Sequence, residues 1–390
     1  MSSRKEKVLK LLRFAGIYGW QRAVNKAVGR TRPRWLRSRL SLSGKPEVSV
    51  IGCGQFAFSC VCFYLQKARG NVFLSAYDTD PQQAESLGRY YAFRQMVPSA
   101  EEVFTHPSLK LLYVISNHAS HTSYAIEALR RGIDVYVEKP IAVSVEQLVQ
   151  LTATRRATTA RIFAGYNRPY ARAVRLLADR VRQQPSNGGF SISYVINGHV
   201  IPPEHWYRQP AEGTRICGNL GHWLDLTLHI WRWRGNWPAW IDIQVSYANP
   251  DEPDDNLAIT LTTDCNDIVT ILLTSRTEPF EGISESINFQ YSDVIARIDD
   301  FRTMTLWVKA RKQTWRFFPK DVGHQRAVLQ PYQDTNRDWH EVELSTLLML
   351  HLKDMVLARR RTSRFIINHE WTRFETAVDQ AMAIRPVPYL

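Results

Sequence analysis

The chain has 390 residues, room for two domains, and its 44% hydrophobic and 22% charged content is ordinary for a protein that folds around its own core. The net charge of +13 does not describe the body: residues 1–45 hold 13 Lys or Arg against the single acid Glu6, which leaves 37 basic against 36 acidic residues elsewhere. The excess defines a basic N-terminal arm, 1–45, and gives no ground for a nucleic-acid partner. Cys53, Cys60, Cys62, Cys217 and Cys265 form no CxxC pair and no zinc spacing, so they read as idle thiols in a reducing compartment.

Within the arm, Val8–Trp20 is apolar but is interrupted by Lys10 and Arg13. It is too short and too charged to span a bilayer, and it lacks the pattern of a cleaved signal. Two readings stay open. One is a helix packed on its own protein or on a second subunit. The other is an interfacial helix in which Leu9, Leu12, Phe14, Ile17 and Trp20 dip into an anionic membrane, with residues 1–44 making the contact. Arg30–Arg39, with Pro33 and Ser38, reads as a solvated linker. The expected location is cytoplasmic, peripheral on the inner face of the membrane under the second reading.

From Pro46 the pattern becomes βαβ. Glu47–Ile51 is a β-rich run that ends in Gly52-Cys53-Gly54-Gln55-Phe56-Ala57 and leads into a helix over Phe58–Ala68. Gly52 permits the bend, Gly54 lets backbone approach a pyrophosphate, and Ala57 allows close helix–strand packing. A second strand, Val72–Tyr77, ends at Asp78, 21 residues after Ala57. A carboxylate there accepts ribose hydroxyls and repels a 2′-phosphate, which favours NAD over NADP. Strands over Leu111–Ser116 and Ile133–Val137 end at Ser116-Asn117-His118-Ala119-Ser120-His121 and at Glu138-Lys139-Pro140. The predicted cofactor domain is 46–165, an α/β Rossmann domain with a parallel sheet. Its expected cofactor contacts are Gly52, Gly54, Gln55, Phe56, Ala57, Asp78, Ser116, Asn117, His121, Glu138 and Lys139. The two histidines suit capping or solvent exposure equally well.

These residues resemble the glucose–fructose oxidoreductase, inositol dehydrogenase and MocA family (Gfo/Idh/MocA). The resemblance rests on Gly52–Ala57, Asp78, the Ser116–His121 loop, Ala125-Ile126-Glu127-Ala128-Leu129, Glu138-Lys139-Pro140 and Gly165-Tyr166-Asn167-Arg168. It runs in register over residues 47–310 and more loosely beyond. A second block is similar to members associated with polysaccharide and nucleotide-sugar metabolism: His205-Trp206-Tyr207, Gly213–Gly218, His222-Trp223-Leu224-Asp225, Asp255-Asn256 and Asp299-Asp300-Phe301-Arg302.

From Gly189 strands follow one another without helices between them, which predicts a C-terminal α+β domain with a mostly antiparallel sheet, 166–335, for substrate and for homo-oligomer contacts. The exception is a helix over Leu220–Trp231, on which His222, Asp225 and His229 share a face. That spacing alone could serve a metal, but the resemblance implies none. The chemical reading makes His222 a general acid/base, with Lys139 polarising or protonating the same substrate oxygen, Glu138 holding Lys139 or a nearby backbone group, and Pro140 fixing the bend. On the substrate side stand Asn167, Arg168, Trp206, Tyr207, Arg215, Asn219 and His222. Arg168, Arg208 and Arg215 suit an anionic sugar or diphosphate, and each fits an ion pair equally well. One departure stands out. Many family members carry an aspartate four residues before the equivalent of His222, whereas this chain has Gly218, followed by Asn219. Residues 336–390 read as a tail of helices packed on the body.

The expected activity is NAD-dependent hydride transfer at a secondary alcohol or ketone of a sugar, nucleotide-linked or lipid-linked, in polysaccharide biosynthesis. The alternative is a catalytically silent NAD- or sugar-binding subunit recruited to a membrane assembly by the arm.

Overall fold

The computed structural model describes residues 4–38, 43–185, 188–249, 251, 254–333 and 336–383. The start of the arm, part of its linker and the end of the tail lie outside the described residues. The chain divides into two compact units. The cofactor unit comprises Trp20–Tyr166, Gln325–Arg337 and Phe374–Leu390, and the sheet unit comprises Met1–Gly19, Asn167–His324 and Asp338–Arg373.

The arm is therefore not one body. Helix α1 (Arg4–Tyr18) belongs to the sheet unit, where Ala15 and Ile17 are buried and the Lys320 amide donates to the Ile17 carbonyl at 2.8 Å. Helix α2 (Trp20–Thr31) belongs to the cofactor unit and buries Ala23, Asn25, Val28 and Gly29. Gly19, at φ +80°, separates the two helices.

In the cofactor unit six parallel strands lie in the order β3-β2-β1-β4-β5-β6. They are β1 (Val48–Ile51), β2 (Phe73–Tyr77), β3 (Gln95–Met96), β4 (Leu111–Val114), β5 (Asp134–Val137) and β6 (Ile162–Ala164). β1 and β4 are buried at every residue, the signature of a parallel strand covered on both faces rather than an alternating one. The helices start where sequence chemistry lets them. Asp80 caps α4 (Pro81–Tyr91), Ser99 caps α5 (Ala100–Phe104) and Ser144 caps α7 (Val145–Arg156), each accepting a first-turn amide. Between them α6 (His118–Arg130) follows β4. The helix expected after the glycine turn opens with a π-turn, Ala57–Val61, before α3 (Cys62–Arg69). Val50, Phe58, Leu65, Tyr91, Tyr113 and Phe163 form its core. Because all six strands run one way, the turns that follow β1, β2, β4 and β5 gather at one edge of this sheet.

The sheet unit opens with α8 (Arg172–Val181) and β7 (Ser191–Asn197). Helix α9 (Gly221–Trp233) comes next, followed by strands β8 (Trp240–Tyr247), β9 (Leu257–Thr263), β10 (Ile268–Thr274), β11 (Ser284–Tyr291), β12 (Val294–Asp299), β13 (Thr303–Val308) and β14 (Arg311–Arg316). With β15 (Thr362–Ile366) they make nine strands in the order β14-β13-β12-β11-β7-β10-β9-β8-β15. Every pairing is antiparallel except β7 with β10. β7 alternates: Ile192, Tyr194 and Ile196 are buried and Val195 is exposed. Tyr194 bonds Thr227 of α9 at 3.1 Å, so α9 lies on the inner face. Helix α10 (His324–Val328) leads back toward the cofactor unit. The tail does not behave as an appended helical piece. It contains β15 between α11 (Trp339–Leu357) and α12 (Ile367–Ala383), and α12 passes from one unit to the other at Arg373/Phe374.

Candidate functional site

The candidate residues form two sets, one in each unit. In the cofactor unit Gly52 has φ +91°, and a side chain there would overlap the Ile115 backbone, so only glycine fits. Gly54 is different: an added Cβ would meet no protein atom within 4 Å. Its backbone is free to face a ligand, which is the property a pyrophosphate requires. Asp78, at the end of β2, accepts the Cys53 amide at 2.6 Å and the Asp80 amide at 2.9 Å. This donor set and the open face at Gly54 fit a dinucleotide. Gln55 donates to the Lys26 carbonyl at 3.3 Å, Phe56 lies at the surface, and Ala57 is fully buried against the sheet.

The turns after β4 and β5 are tied to each other. Ser116 shares a 2.7 Å bond with Ser120, and Asn117 stands at the N-cap position of α6, its side-chain oxygen accepting from Ser120 at 2.6 Å rather than from a first-turn amide. His121 is buried, its Nδ1 lying 2.8 Å from the Pro140 carbonyl and its Nε2 3.0 Å from the Ser116 carbonyl. The imidazole thus spans the two turns. The Lys139–Pro140 peptide is cis. Glu138 is buried, accepting the Tyr136 hydroxyl at 2.8 Å and the Lys139 amide at 3.2 Å. Burial pushes its carboxyl up to about 7, against the opposing pull of the Lys139 charge and both hydrogen bonds. Gly165 makes room for it: a side chain there would come within 2.8 Å of the Glu138 Cα. Lys139 itself is half-buried.

In the sheet unit the arginines are engaged. Arg168 forms a fork with Glu285 at 2.9 and 2.8 Å, the Trp223 indole donates to the same carboxylate at 2.7 Å, and the guanidinium stacks 4.5 Å from the Trp223 ring. Asn167, also buried, donates to the Val322 carbonyl at 2.5 Å. Arg215, 1% exposed, pairs with Asp255 at 2.7 Å, while Arg208 reaches Asp254 at 3.1 Å and Asp255 at 2.5 Å. These are internal bridges, not surface pairs. They brace the segment that carries Trp206, Tyr207 and the turn into α9.

That turn, Ile216–Leu220, is again a π-turn, and it runs directly into α9 with His222 half-buried near its start. Any side chain on Gly218 would overlap the Tyr207 hydroxyl, which donates to Asn219 Oδ1 at 3.2 Å. Burial pushes this phenol up, so it is a neutral donor. The position that lacks a carboxylate is therefore filled by another residue's hydroxyl. Trp206, 41% exposed, packs edge-on against Tyr207 with ring centroids 5.2 Å apart. Asp225 is buried and accepts Ser345 at 3.2 Å, and His229 pairs with Glu341 at 2.9 Å. Among the described residues no group of three or more His, Cys, Asp or Glu is placed to hold a metal ion.

The family described as "Oxidoreductase family, NAD-binding Rossmann fold" (GFO_IDH_MocA) matches residues 47–166. Over those residues the chain is similar to the Gfo/Idh/MocA family. Inositol 2-dehydrogenase of Burkholderia ambifaria is 26% identical over 133 residues, 34% of this chain and 40% of that protein. The chain thus spans about two fifths of the length of such curated relatives. Among solved structures, GenD2 from gentamicin A biosynthesis in complex with NAD superposes with a TM-score of 0.67 at 16% identity, over 85% of this chain and 99% of GenD2. UDP-N-acetylglucosamine 3-dehydrogenase GnnA from Acidithiobacillus ferrooxidans gives 0.64 at 15% identity, over 81% of this chain and 99% of GnnA. At such identities these superpositions establish the fold in both units, the parallel cofactor sheet and the mostly antiparallel second sheet.

Sequence reasoning missed Glu285 and Tyr136, which hold Arg168 and Glu138, gave Gly165 no packing role beside Glu138, and missed Arg32, whose guanidinium donates to the Cys53 carbonyl inside the glycine turn. Arg32 lies in the stretch read as a solvated linker, and only the charge excess before β1 hinted at it. The Glu138–Gly165 pair had a usable signal: two small-loop positions at the ends of adjacent strands β5 and β6.

Proposed function

We propose that the protein is an NAD-dependent oxidoreductase that moves a hydride to or from a secondary alcohol or ketone of a sugar, with a nucleotide-linked sugar of polysaccharide biosynthesis as the substrate class. The observation that carries the reading is a half-buried lysine at the carboxyl end of β5, its backbone amide held by a buried carboxylate, in a unit whose glycine turn leaves open space at Gly54. The nicotinamide, when bound, supplies the hydride acceptor or donor. The chain's own residues handle the rest. As the carbinol C–H bond breaks, the hydroxyl proton passes to Lys139 or His222, and in reduction the same groups return it to the carbonyl oxygen. Trp206 offers a ring face to the sugar, and Tyr207 with Asn219 supplies the polar groups beside it. Arg168 and Arg215 position this segment through Glu285 and Asp255. The charge of Asp78 supports NAD over NADP.

The test is nicotinamide absorbance on the purified protein with NAD or NADP and a panel of UDP-sugars, TDP-sugars and free sugars. Turnover on at least one nucleotide sugar is expected. Nucleotide binding without turnover on any of them supports the silent-subunit reading instead.

Two further parts of the reading concern surfaces. On α1, Val8, Leu9 and Leu12 are exposed while Lys10 and Arg13 lie over the Phe280 ring, and no described helix is long and apolar enough to cross a membrane. We assign α1 to peripheral contact with the anionic inner face of the membrane, from the cytoplasmic side. Equal flotation with anionic liposomes before and after removal of residues 1–18 defeats this assignment. The outer face of the nine-stranded sheet exposes Val195, Leu272 and Ile295, which supports a homo-oligomer through that face. A monomeric mass in sedimentation at micromolar concentration contradicts it.

A further inference from the structure

Helix α2, the second of the arm, is built into the cofactor unit, and it ends on a cation beside the glycine turn. Val28 is buried there, and a side chain on Gly29 would come within 2.8 Å of the Phe58 ring. Asn25 donates to the Tyr91 hydroxyl at 2.8 Å, and that hydroxyl donates to the Phe58 carbonyl at 2.6 Å. The helix therefore lies across the π-turn that follows Gly54. Just past its end, Arg32 takes up a left-handed backbone conformation, φ +42°.

The guanidinium of Arg32 is half-buried and directed by four partners. Its Nε donates to the Gly29 carbonyl at 3.2 Å, its Nη1 to the Gln83 carbonyl at 3.1 Å and to Ser86 Oγ at 2.7 Å, and its Nη2 to the Cys53 carbonyl at 2.7 Å. The plane lies 5.0 Å from the Phe58 ring centroid. Cys53 is the middle residue of Gly52-Cys53-Gly54, and its amide donates to Asp78 at 2.6 Å. One residue of the turn is thus gripped from both sides, its N–H by the carboxylate and its C=O by the cation. Burial pulls the pKa of Arg32 below its usual value, and the nearby Asp78 and Asp80 charges oppose that pull.

Two consequences follow from charge and geometry. Drawing the Cys53 carbonyl toward Arg32 fixes the peptide plane between Cys53 and Gly54, and with it the direction of the Gly54 N–H. Placing a permanent cation across Cys53 from Asp78 cancels part of the negative field at the ribose end of the site. An isolated carboxylate there repels a 2′-phosphate; a carboxylate next to a guanidinium repels it less.

We propose that Arg32 is a specificity and positioning residue for the dinucleotide: it orders the glycine turn and relaxes the discrimination of Asp78 against the 2′-phosphorylated cofactor. This rests on the cofactor reading of residues 47–166, and it adds a residue outside that domain's motif. Helix α2 then belongs to the cofactor site, and the membrane assignment concerns α1 alone.

The test is binding by the full-length protein, measured by calorimetry with NAD, NADP, 5′-AMP and 2′,5′-ADP. The variants are Arg32→Gln, Arg32→Met and Arg32→Lys, with thermal unfolding as the fold control. Both neutral variants are expected to raise the ratio of the NADP to the NAD dissociation constant roughly tenfold, as loss of one nearby charge implies. The same change is expected between 2′,5′-ADP and 5′-AMP. Arg32→Lys, which keeps the charge and loses the fork, is expected to hold the ratio near the parent value while weakening both nucleotides. Two neutral variants are used so that failure of one to fold leaves the other. A folded neutral variant with an unchanged ratio overturns the role of Arg32 and leaves the cofactor reading standing. A parent protein that binds none of the four probes overturns both.

Discussion

The two units treat their charged candidates in opposite ways. In the cofactor unit they are held mainly by backbone: Asp78 by the Cys53 and Asp80 amides, Glu138 by the Lys139 amide and the Tyr136 hydroxyl, His121 against two carbonyls. In the sheet unit they are held by one another: Arg168 by Glu285, Arg215 by Asp255, and Arg208 by Asp254 and Asp255. A carboxylate held by amides keeps lone pairs to offer a ligand. A guanidinium forked onto a buried carboxylate has spent its geometry on the fold. The lesson is that residue type alone proposes Arg168 and Arg215 as ligand groups, and the partner decides.

The largest expected effect separates chemistry from architecture. Lys139→Ala removes the proposed proton group at the end of β5, and a drop in turnover of about a thousandfold is expected, within the usual range for a general acid/base. NAD affinity, measured by calorimetry, is expected to change little. Full turnover in a variant that still binds NAD removes Lys139 from the mechanism.

Breaking a pair in the sheet unit should cost stability instead. Arg168→Met leaves Glu285 buried with the Trp223 indole as its neighbouring donor, and loss of one partner of a buried pair costs about 3–5 kcal/mol. Urea unfolding of this variant and of Arg168→Met/Glu285→Gln checks it: the double variant should recover most of the loss. A single variant of normal stability with lost sugar affinity would return Arg168 to the ligand set and erase the contrast between the units.

Glu138 sharpens the same contrast through pH. Its carboxyl is raised from 4.5 to about 7 in the folded chain, chiefly by burial. Below about pH 4.5 both folded and unfolded chains carry the proton, and Glu138 costs nothing. Between there and pH 7 the unfolded chain ionises and the folded chain does not, so stability falls as pH rises, by roughly 3 kcal/mol in all, and is level above. Glu138→Gln cannot titrate. Its stability relative to the parent should therefore rise across that window and nowhere else. Parallel stability curves for the two proteins would mean that the carboxylate is not desolvated as the geometry implies.

How much of this was legible before the structure depends on what fixes each residue. Gly52, Asp78 and Lys139 could be proposed from the sequence because strand ends and tight turns constrain residue type locally. The nine-stranded sheet was visible as successive β-rich runs, but β14 and β15 were not. β14 is Arg-Lys-Gln-Thr-Trp-Arg, with no buried face to produce alternation, and β15 is separated from its partner β8 by more than a hundred residues. The Arg168–Glu285 bridge has the same character: its members lie 117 positions apart and nothing local marks either as the partner. Both π-turns, Ala57–Val61 and Ile216–Leu220, escaped because an inserted residue leaves the apolar pattern intact over so short a span.

The smallest expected effect concerns Gly218, where the resemblance implies an aspartate in many family members. Gly218 lies one turn before His222, so a side chain at 218 would share its face, and the Tyr207 phenol already occupies that volume. Glycine and tyrosine are thus a matched pair: the large ring requires the missing side chain, and the hydroxyl supplies a neutral donor where a carboxylate would stand. Gly218→Ala is expected to push the ring aside and cost about 1–3 kcal/mol, the usual penalty of overpacking. Tyr207→Phe keeps the ring, removes only the donor to Asn219, and should leave stability within about 1.5 kcal/mol of the parent. Gly218→Ala/Tyr207→Leu should then be more stable than Gly218→Ala alone, since the clash is relieved from the other side. If the double variant is no better than the single, the two positions are not coupled, and the hydroxyl has no claim to the place of the absent carboxylate.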